Sequence, residues 1–301
     1  MEKIKSIKLK GHGSFYLRDG WLEKAINNPN YFGEEYPTDK FGVGSAMVKA
    51  IKYYVYTMDL IEYKNSNEGY VLTKLGRIIK EHDKYLSDIF SLWVLHYEFV
   101  KKIEEATTWN LYFNLFEYEE LTKDDLESKI INLLKSNNSD LRISKRSLRD
   151  DINCIINSYS NYENKKNQTP EENYHCPFNE LELIEKVRIN NREYYKKKSP
   201  KISTINKYNI LYALADIINK EESNEEEKIK INYEKLIEDN NSICKLFNIR
   251  HNDLLYLLQE LEKDKIISID KSMGINMVYL EKDMDKYEVL KNYYIKEGKY
   301  A

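Results

Sequence analysis

Ser45, Lys49, Lys52 and Tyr56 follow one another at intervals of four, three and four residues. In a helix those intervals place all four on one face. The opposite stripe, Val43, Met47, Ala50, Ile51, Tyr54, Val55 and Met58, is apolar and turns toward a core. An outer face of this kind suits a recognition helix, whose first residues reach base edges and whose lysines reach phosphates. Lys64, in the polar tip Lys64–Gly69 of a predicted hairpin, would add a contact from the side. The chemistry implied is binding of double-stranded DNA. The same face could equally be solvated surface on a fold used for protein contacts. Residues 1–100 carry 14 Lys and Arg against 13 Asp and Glu, a small excess for a phosphate binder.

Arg142, Lys145, Arg146 and Arg149 form a second basic cluster at the start of a predicted helix over Ile143–Tyr159. Cations at a helix N-terminus oppose its dipole, so a phosphate backbone could select them. Salt bridges to neighbouring acids such as Asp150 and Asp151 are the competing explanation, and the simpler one. His12, between Gly11 and Gly13 and ahead of Arg18 and Trp21, could help hold an anion, although a glycine-flanked turn accounts for it as well. His175-Cys176-Pro177 holds adjacent His and Cys, but a zinc site needs four ligands, and no spacing joins Cys154 or Cys244 to it. Sulfur transfer at Cys176 would require a lowered thiol pKa, for which the sequence offers one adjacent histidine. His96, Trp93, Trp109 and Phe113 read as core residues, and the run Glu225–Glu227 as a solvated loop. No catalytic residue, cofactor site or metal site is assigned.

These residues must be positioned by a chain of 301 residues with 42% hydrophobic and 32% charged residues, a globular composition with material for two or three domains. The net charge of −3 excludes a histone-like polycation. No apolar run is long enough for a membrane span, the first residues lack the apolar core of a signal peptide, and three cysteines without CxxC suit a reducing cytoplasm. Eight of the ten glycines lie between Gly11 and Gly76, which puts most turns early and helices in the middle. The 26 tyrosines against 9 phenylalanines follow an AT-rich coding bias and receive no functional weight.

A helix is predicted over Ser14–Ile26, then the striped helix, then short strands at Leu60–Tyr63 and Tyr70–Thr73, with Thr73 capping a further helix. Leu86–Val100 is apolar on nearly every side and predicts a buried helix, with Ala106–Tyr118 packed on it. Thr122 with Asp125 predicts a capped helix through Leu134. Helices from about Lys207, at Asn241–Phe247 and at Asn252–Asp264 precede strands at Ile266–Ile269 and Asn276–Leu280, around a tip containing Gly274. Leu254, Leu255, Leu257, Leu258 and Leu261 form the inward stripe of the longer helix, whose outer face is acidic through Asp253, Glu260 and Glu262. The expected fold is mostly α, with two winged-helix-like domains flanking a central helical domain. The boundaries are 1–82, 83–165 and 206–301, with an irregular connector over 166–205.

Several blocks in this order resemble one bacterial family. They are GHGSF and LRDGWLEKAI (11–26), FGVGSAMVKAIKYY (41–54), LTKLGRII (72–79), LSDIFSLWVLHYEFV (86–100), ATTWNLYFNLF (106–116), SLRDDINCIINSY (147–159), HCPFNELELI (175–184) and SICKLFNIRHNDLLYLLQEL (242–261). Together they resemble domain of unknown function 4007. The resemblance supplies no catalytic residues. It implies a genomic neighbourhood of DNA modification and anti-phage defence, including phosphorothioate systems, near proteins similar to phosphoadenosine phosphosulfate reductases. The expected function is a non-catalytic DNA-binding accessory or regulator of such a system. The alternative is a scaffold that binds a protein component, such as a reductase-like protein, without touching DNA. A sulfur-transfer or nuclease enzyme is a third and weaker reading.

Overall fold

The structure is a computed structural model and describes residues 3–160, 175–218, 230–270 and 277–296. The Glu225–Glu227 run and the Gly274 tip lie outside the described residues. The first helix, α1, spans Trp21–Asn27 and does not extend back to Ser14. Gly20, at φ 76°, occupies the left-handed region and cannot continue a helix. Leu22, Ala25 and Ile26 are buried as their spacing predicts, whereas Phe15 is only partly covered. The short α2, Pro37–Phe41, opens on its proline and stops at Gly42. Next comes α3, Ser45–Thr57, which buries Ala50, Ile51, Tyr54 and Val55, with Val43 and Met47 partly covered at its start.

Strands β1, Ile61–Asn65, and β2, Gly69–Leu72, pair antiparallel with Tyr63 directly opposite Tyr70. Thr73 caps α4, Lys74–His82, its Oγ1 accepting the Gly76 N–H at 2.9 Å. The capped α5, Ile89–Val100, is buried at every position from Phe90 onward, and α6, Thr107–Leu115, packs beside it. Trp93, Trp109 and Phe113 lie in this core. Thr122 and Asp125 make a reciprocal capping box at the start of α7, Lys123–Asn137. Ser144 caps α8, Lys145–Tyr159.

Of the expected irregular connector, 166–205, residues 166–174 lie outside the described residues, and 184–197 are regular. β3, Ile184–Ile189, and β4, Arg192–Lys197, form a hairpin joined by Asn190 and Asn191, both at positive φ. Two left-handed residues give the turn a twist that matches the strands. Leu121 and Tyr195 exchange backbone hydrogen bonds at 3.1 and 2.8 Å, which pins the hairpin ahead of α7.

The last part contains α9 (Lys207–Ile218), β5 (Lys230–Asn232), α10 (Lys235–Glu238), α11 (Ile243–Leu246), α12 (His251–Lys263), β6 (Ile267–Asp270), β7 (Met277–Leu280) and α13 (Lys286–Lys296). Its sheet has the antiparallel order β5-β7-β6. On α12, Leu254, Leu257, Leu258 and Leu261 are buried, but Leu255 is only partly covered. Helix α13 packs on α9 and α4. An ion cluster fixes it there: Lys286 lies 2.9 Å from both Glu98 and Asp216, and Lys101 lies 2.8 Å from both. Among the described residues the molecule is mostly α, with three small antiparallel sheets. Among the described residues no helix is long and apolar enough to cross a membrane.

Candidate nucleic-acid interface

The polar face of α3 forms one wall of an open cavity of about 540 Å³. Lys49, Lys52, Tyr53 and Tyr56 reach it from the helix, Tyr63 and Tyr70 from the β1–β2 hairpin, and Lys8 and Gly11 from the N-terminal segment. Three lysines and no carboxylate line it, a local excess of cations in a chain that is acidic overall. Lys52 is half-buried; it donates to the Tyr70 hydroxyl, and its Nζ lies 4.1 Å from the centroid of that ring. The Tyr63 and Tyr70 rings meet at 5.1 Å. Tyr56 and Tyr63 are 50% and 53% exposed, which leaves ring faces available to a ligand.

The rest of the cavity is held rigidly. The Tyr53 hydroxyl donates to the Glu105 carbonyl at 2.9 Å, and Lys8 Nζ lies 5.3 Å from the Tyr53 ring. A Cβ on Gly11 would meet that ring at 2.3 Å, so glycine permits the N-terminal segment to close against it. The segment is anchored by Lys8 N–H donating to Thr107 Oγ1 at 2.9 Å and Lys10 N–H donating to Asp151 Oδ1 at 2.8 Å.

Ser45 is exposed at the first turn of α3, outside the cavity lining. Lys64 is exposed and pairs with Glu68 at 2.7 Å, so its charge is partly offset at the hairpin tip. Of the second basic cluster, Arg142, Lys145 and Arg146 are exposed around the start of α8. Arg149 engages Asp124 and Glu127 of α7 at 2.8 and 2.9 Å, not the neighbouring Asp150 and Asp151, which pair with Lys10 and His12. None of these four lines the cavity. The sequence reading overlooks Lys8, Tyr53, Tyr63 and Tyr70. Their one sequence signal is the placement of Tyr63 and Tyr70 on either side of a hairpin tip.

His12 is not an exposed anion ligand. It is fully buried, with Nε2 2.8 Å from Asp151 Oδ1 and its ring edge-on to Trp109 at 5.3 Å. Burial opposes its charge, but Cys154 and Asp151 outweigh that effect and push its pKa up to about 10. Cys176 is fully buried, and burial pushes its thiol well above the usual range, the reverse of what a nucleophile needs. His175 lies 3.2 Å from Asp19. Cys154 and Cys244 are buried free thiols. His96 has both ring nitrogens satisfied: Nε2 donates to the Leu246 carbonyl at 2.7 Å, and Nδ1 accepts from the Tyr159 hydroxyl at 2.8 Å. Its pKa falls to about 3, chiefly through burial. Among the described residues no three His, Cys, Asp or Glu side chains are grouped to hold a metal ion.

Lys197 gives no warning in the sequence. Its Nζ, buried beside a second cavity of about 900 Å³, donates to the Phe113 and Phe116 carbonyls at 2.9 and 3.0 Å. Burial pushes its pKa down to about 7. Those carbonyls lie at the C-terminal end of α6, so this lysine serves as a cap.

A comparison with curated protein sequences finds no match. Two crystal structures share the fold. One, described as magnesium ion-bound SspB, has a TM-score of 0.81 and 22% identity over 98% of this chain and 88% of its own. The other, described as SspB, has a TM-score of 0.81 and 21% identity over the same shares. At such identities the likeness establishes fold alone. The sequence evidence is firmer, because one family model matches residues 9–294: the chain belongs to the family described as Protein of unknown function (DUF4007).

Proposed function

We propose that this protein is a non-catalytic DNA-binding accessory or regulator of a DNA-modification or anti-phage defence system of phosphorothioate type. The observation that carries this reading is the carboxylate-free cavity on α3 and the β1–β2 hairpin, with its three lysines and exposed tyrosines. Phosphate neutralisation needs clustered cations, and the cluster here survives an overall net charge of −3. The family resemblance supplies the modification and defence context. We read α2, α3 and the β1–β2 hairpin as a helix–turn–helix with a wing. The α9-to-β7 segment, with its β5-β7-β6 sheet, is a second unit of that kind, and the setting is cytoplasmic. Titration of labelled DNA, duplex and single-stranded, at low and moderate salt tests the reading. Affinity should fall steeply as salt rises. Absence of binding at low salt would sink it.

The scaffold reading has its own support on α12. Tyr256 is 52% exposed on a helix whose Lys263 is engaged by Glu260. The acids of this helix repel phosphate, and an exposed aromatic ring among them suits a protein surface. The partner there would be a protein component of the same system, such as a phosphoadenosine phosphosulfate reductase-like protein. The scaffold reading stands if α3 touches no DNA; if α3 binds DNA, α12 is a separate protein-docking surface.

A further inference from the structure

We infer that the α3 cavity receives an unpaired DNA segment, with one or two bases stacked on Tyr56 and Tyr63 and the adjoining phosphates held by Lys49 and Lys8. The inference rests on the DNA-binding reading and names the form of DNA that the site takes. A helix that reads an intact duplex lies in the major groove with its polar face clear of the rest of the protein. Here that face is not clear. Lys49, Lys52 and Tyr56 line one side of a cavity whose other side is the Tyr63–Tyr70 pair of the hairpin. The volume of about 540 Å³ falls in the range of roughly 300–1,000 Å³ that holds a small ligand, a size that suits a nucleotide.

The lining also fits unpaired bases chemically. Of the side chains that read base edges it contains no Arg, Asn, Gln, Asp or Glu, only lysines and Thr57. It offers ring faces and ammonium groups instead. That combination binds single strands with little sequence preference, because every base has a π-face and every nucleotide a phosphate. Tyr56 and Tyr63 are half-exposed, so their faces can be covered by a base without unpacking the core. Tyr70 is engaged by Lys52, which ties the hairpin to the helix and leaves Tyr56 and Tyr63 as the exposed rings.

The test measures anisotropy with three DNAs of one sequence: a single strand, an intact duplex, and a duplex with a two-nucleotide gap opposite 2-aminopurine. Wild-type protein should bind the single strand and the gapped duplex about tenfold or more tighter than the intact duplex. The 2-aminopurine fluorescence should be quenched on binding, as stacking on a tyrosine requires. Tyr56→Ala with Tyr63→Ala should abolish both the preference and the quenching. Tyr56→Phe with Tyr63→Phe should keep them, which separates stacking from a change in fold. Equal affinity for the three DNAs, unaltered by the alanine variant, would overturn the inference while leaving DNA binding intact. Failure to bind any of the three at low salt would overturn both.

Discussion

Nε2 of His12 lies 2.8 Å from Oδ1 of Asp151, and neither side chain has any exposed surface. The pair joins the irregular N-terminal segment to α8. The same carboxylate accepts the Lys10 N–H at 2.8 Å through Oδ1 and the Thr108 hydroxyl at 2.6 Å through Oδ2. Asp151 is therefore the anchor that sets Lys8 and Gly11 against the cavity. Replacing Asp151 with Ala leaves an imidazole, a hydroxyl and an amide without their acceptor. The expected cost is about 3–5 kcal/mol, as for breaking one side of a buried pair. Urea unfolding of the variant reads it. A loss under about 1 kcal/mol would show that the anchor is not Asp151.

The two buried histidines should give stability opposite pH limbs. His12 has a folded pKa raised to about 10, above its unfolded value of about 6.5. Its contribution is full below about pH 6.5 and is lost as pH rises toward 10. His96 has a folded pKa lowered to about 3, so it disfavours the folded state as pH falls from about 6.5 toward 3. Denaturant midpoints of wild type and His12→Gln should therefore converge between pH 7 and pH 9.5. A gap that stays constant across that window would show that His12 is not held charged.

Lys286 should be the clasp of the C-terminal helix. It bridges Glu98, with side-chain exposure of 1%, and Asp216, with 6%, and Tyr212 donates to Glu98 at 2.9 Å. Burial works against the charge on Glu98, and Lys101 with Lys286 outweighs it, holding that carboxyl below its usual range. Lys286→Met would take one of the two ammonium groups, Lys286 and Lys101, from between the buried carboxylates Glu98 and Asp216. The expected loss is about 3–5 kcal/mol. Amide exchange should accelerate first in α13, then in α9 beneath it. Unchanged protection in α13 would show that its apolar contacts suffice.

Gly76 lies inside α4, where alanine would ordinarily gain about 1 kcal/mol of helix propensity. Here a Cβ would stand 2.0 Å from the Leu60 carbonyl oxygen, a backbone atom that cannot step aside. Gly76→Ala should therefore destabilise by about 1–3 kcal/mol, the range for overpacking, despite the better helix former. A thermal melt decides the sign. The close approach also explains how α4 sits against the end of α3 and holds the hairpin in register with it.

The legible parts of this fold are those written in neighbouring residues. Thr122 with Asp125 and Thr73 ahead of Gly76 mark helix starts through local hydrogen bonds, and the apolar run of α5 marks a buried helix. The β3–β4 hairpin hides because half of its side chains face water and its buried positions are only Ile184, Tyr195 and the charged Lys197. Its Asn190-Asn191 turn is the signal that remains. Lys49 and Lys52 are readable as one face of a helix. The groove itself is not, because Lys8, Tyr53 and Tyr70 meet only after the N-terminal segment folds back over α3. Lys197 is invisible for the same reason, its acceptors being carbonyls some eighty residues away.

Lys49 and Arg146 separate the two basic surfaces. Both are exposed, so charge reversal at either should change stability by no more than about 0.5 kcal/mol. Lys52 is a poorer probe, because it is half-buried against Tyr70 and its loss would also loosen the hairpin. If the α3 cavity is the interface, Lys49→Glu should weaken DNA binding about tenfold and lower the slope of log affinity against log salt by about one. Arg146→Glu should then leave affinity within about twofold. If instead the strand also crosses α8, both variants should lower the slope, and combining them should lower it twice. The measurement is a salt series of anisotropy titrations for wild type, each variant and the pair, with circular dichroism confirming equal folding. A Lys49→Glu variant that binds as tightly as wild type, with an unchanged slope, would remove α3 from the interface.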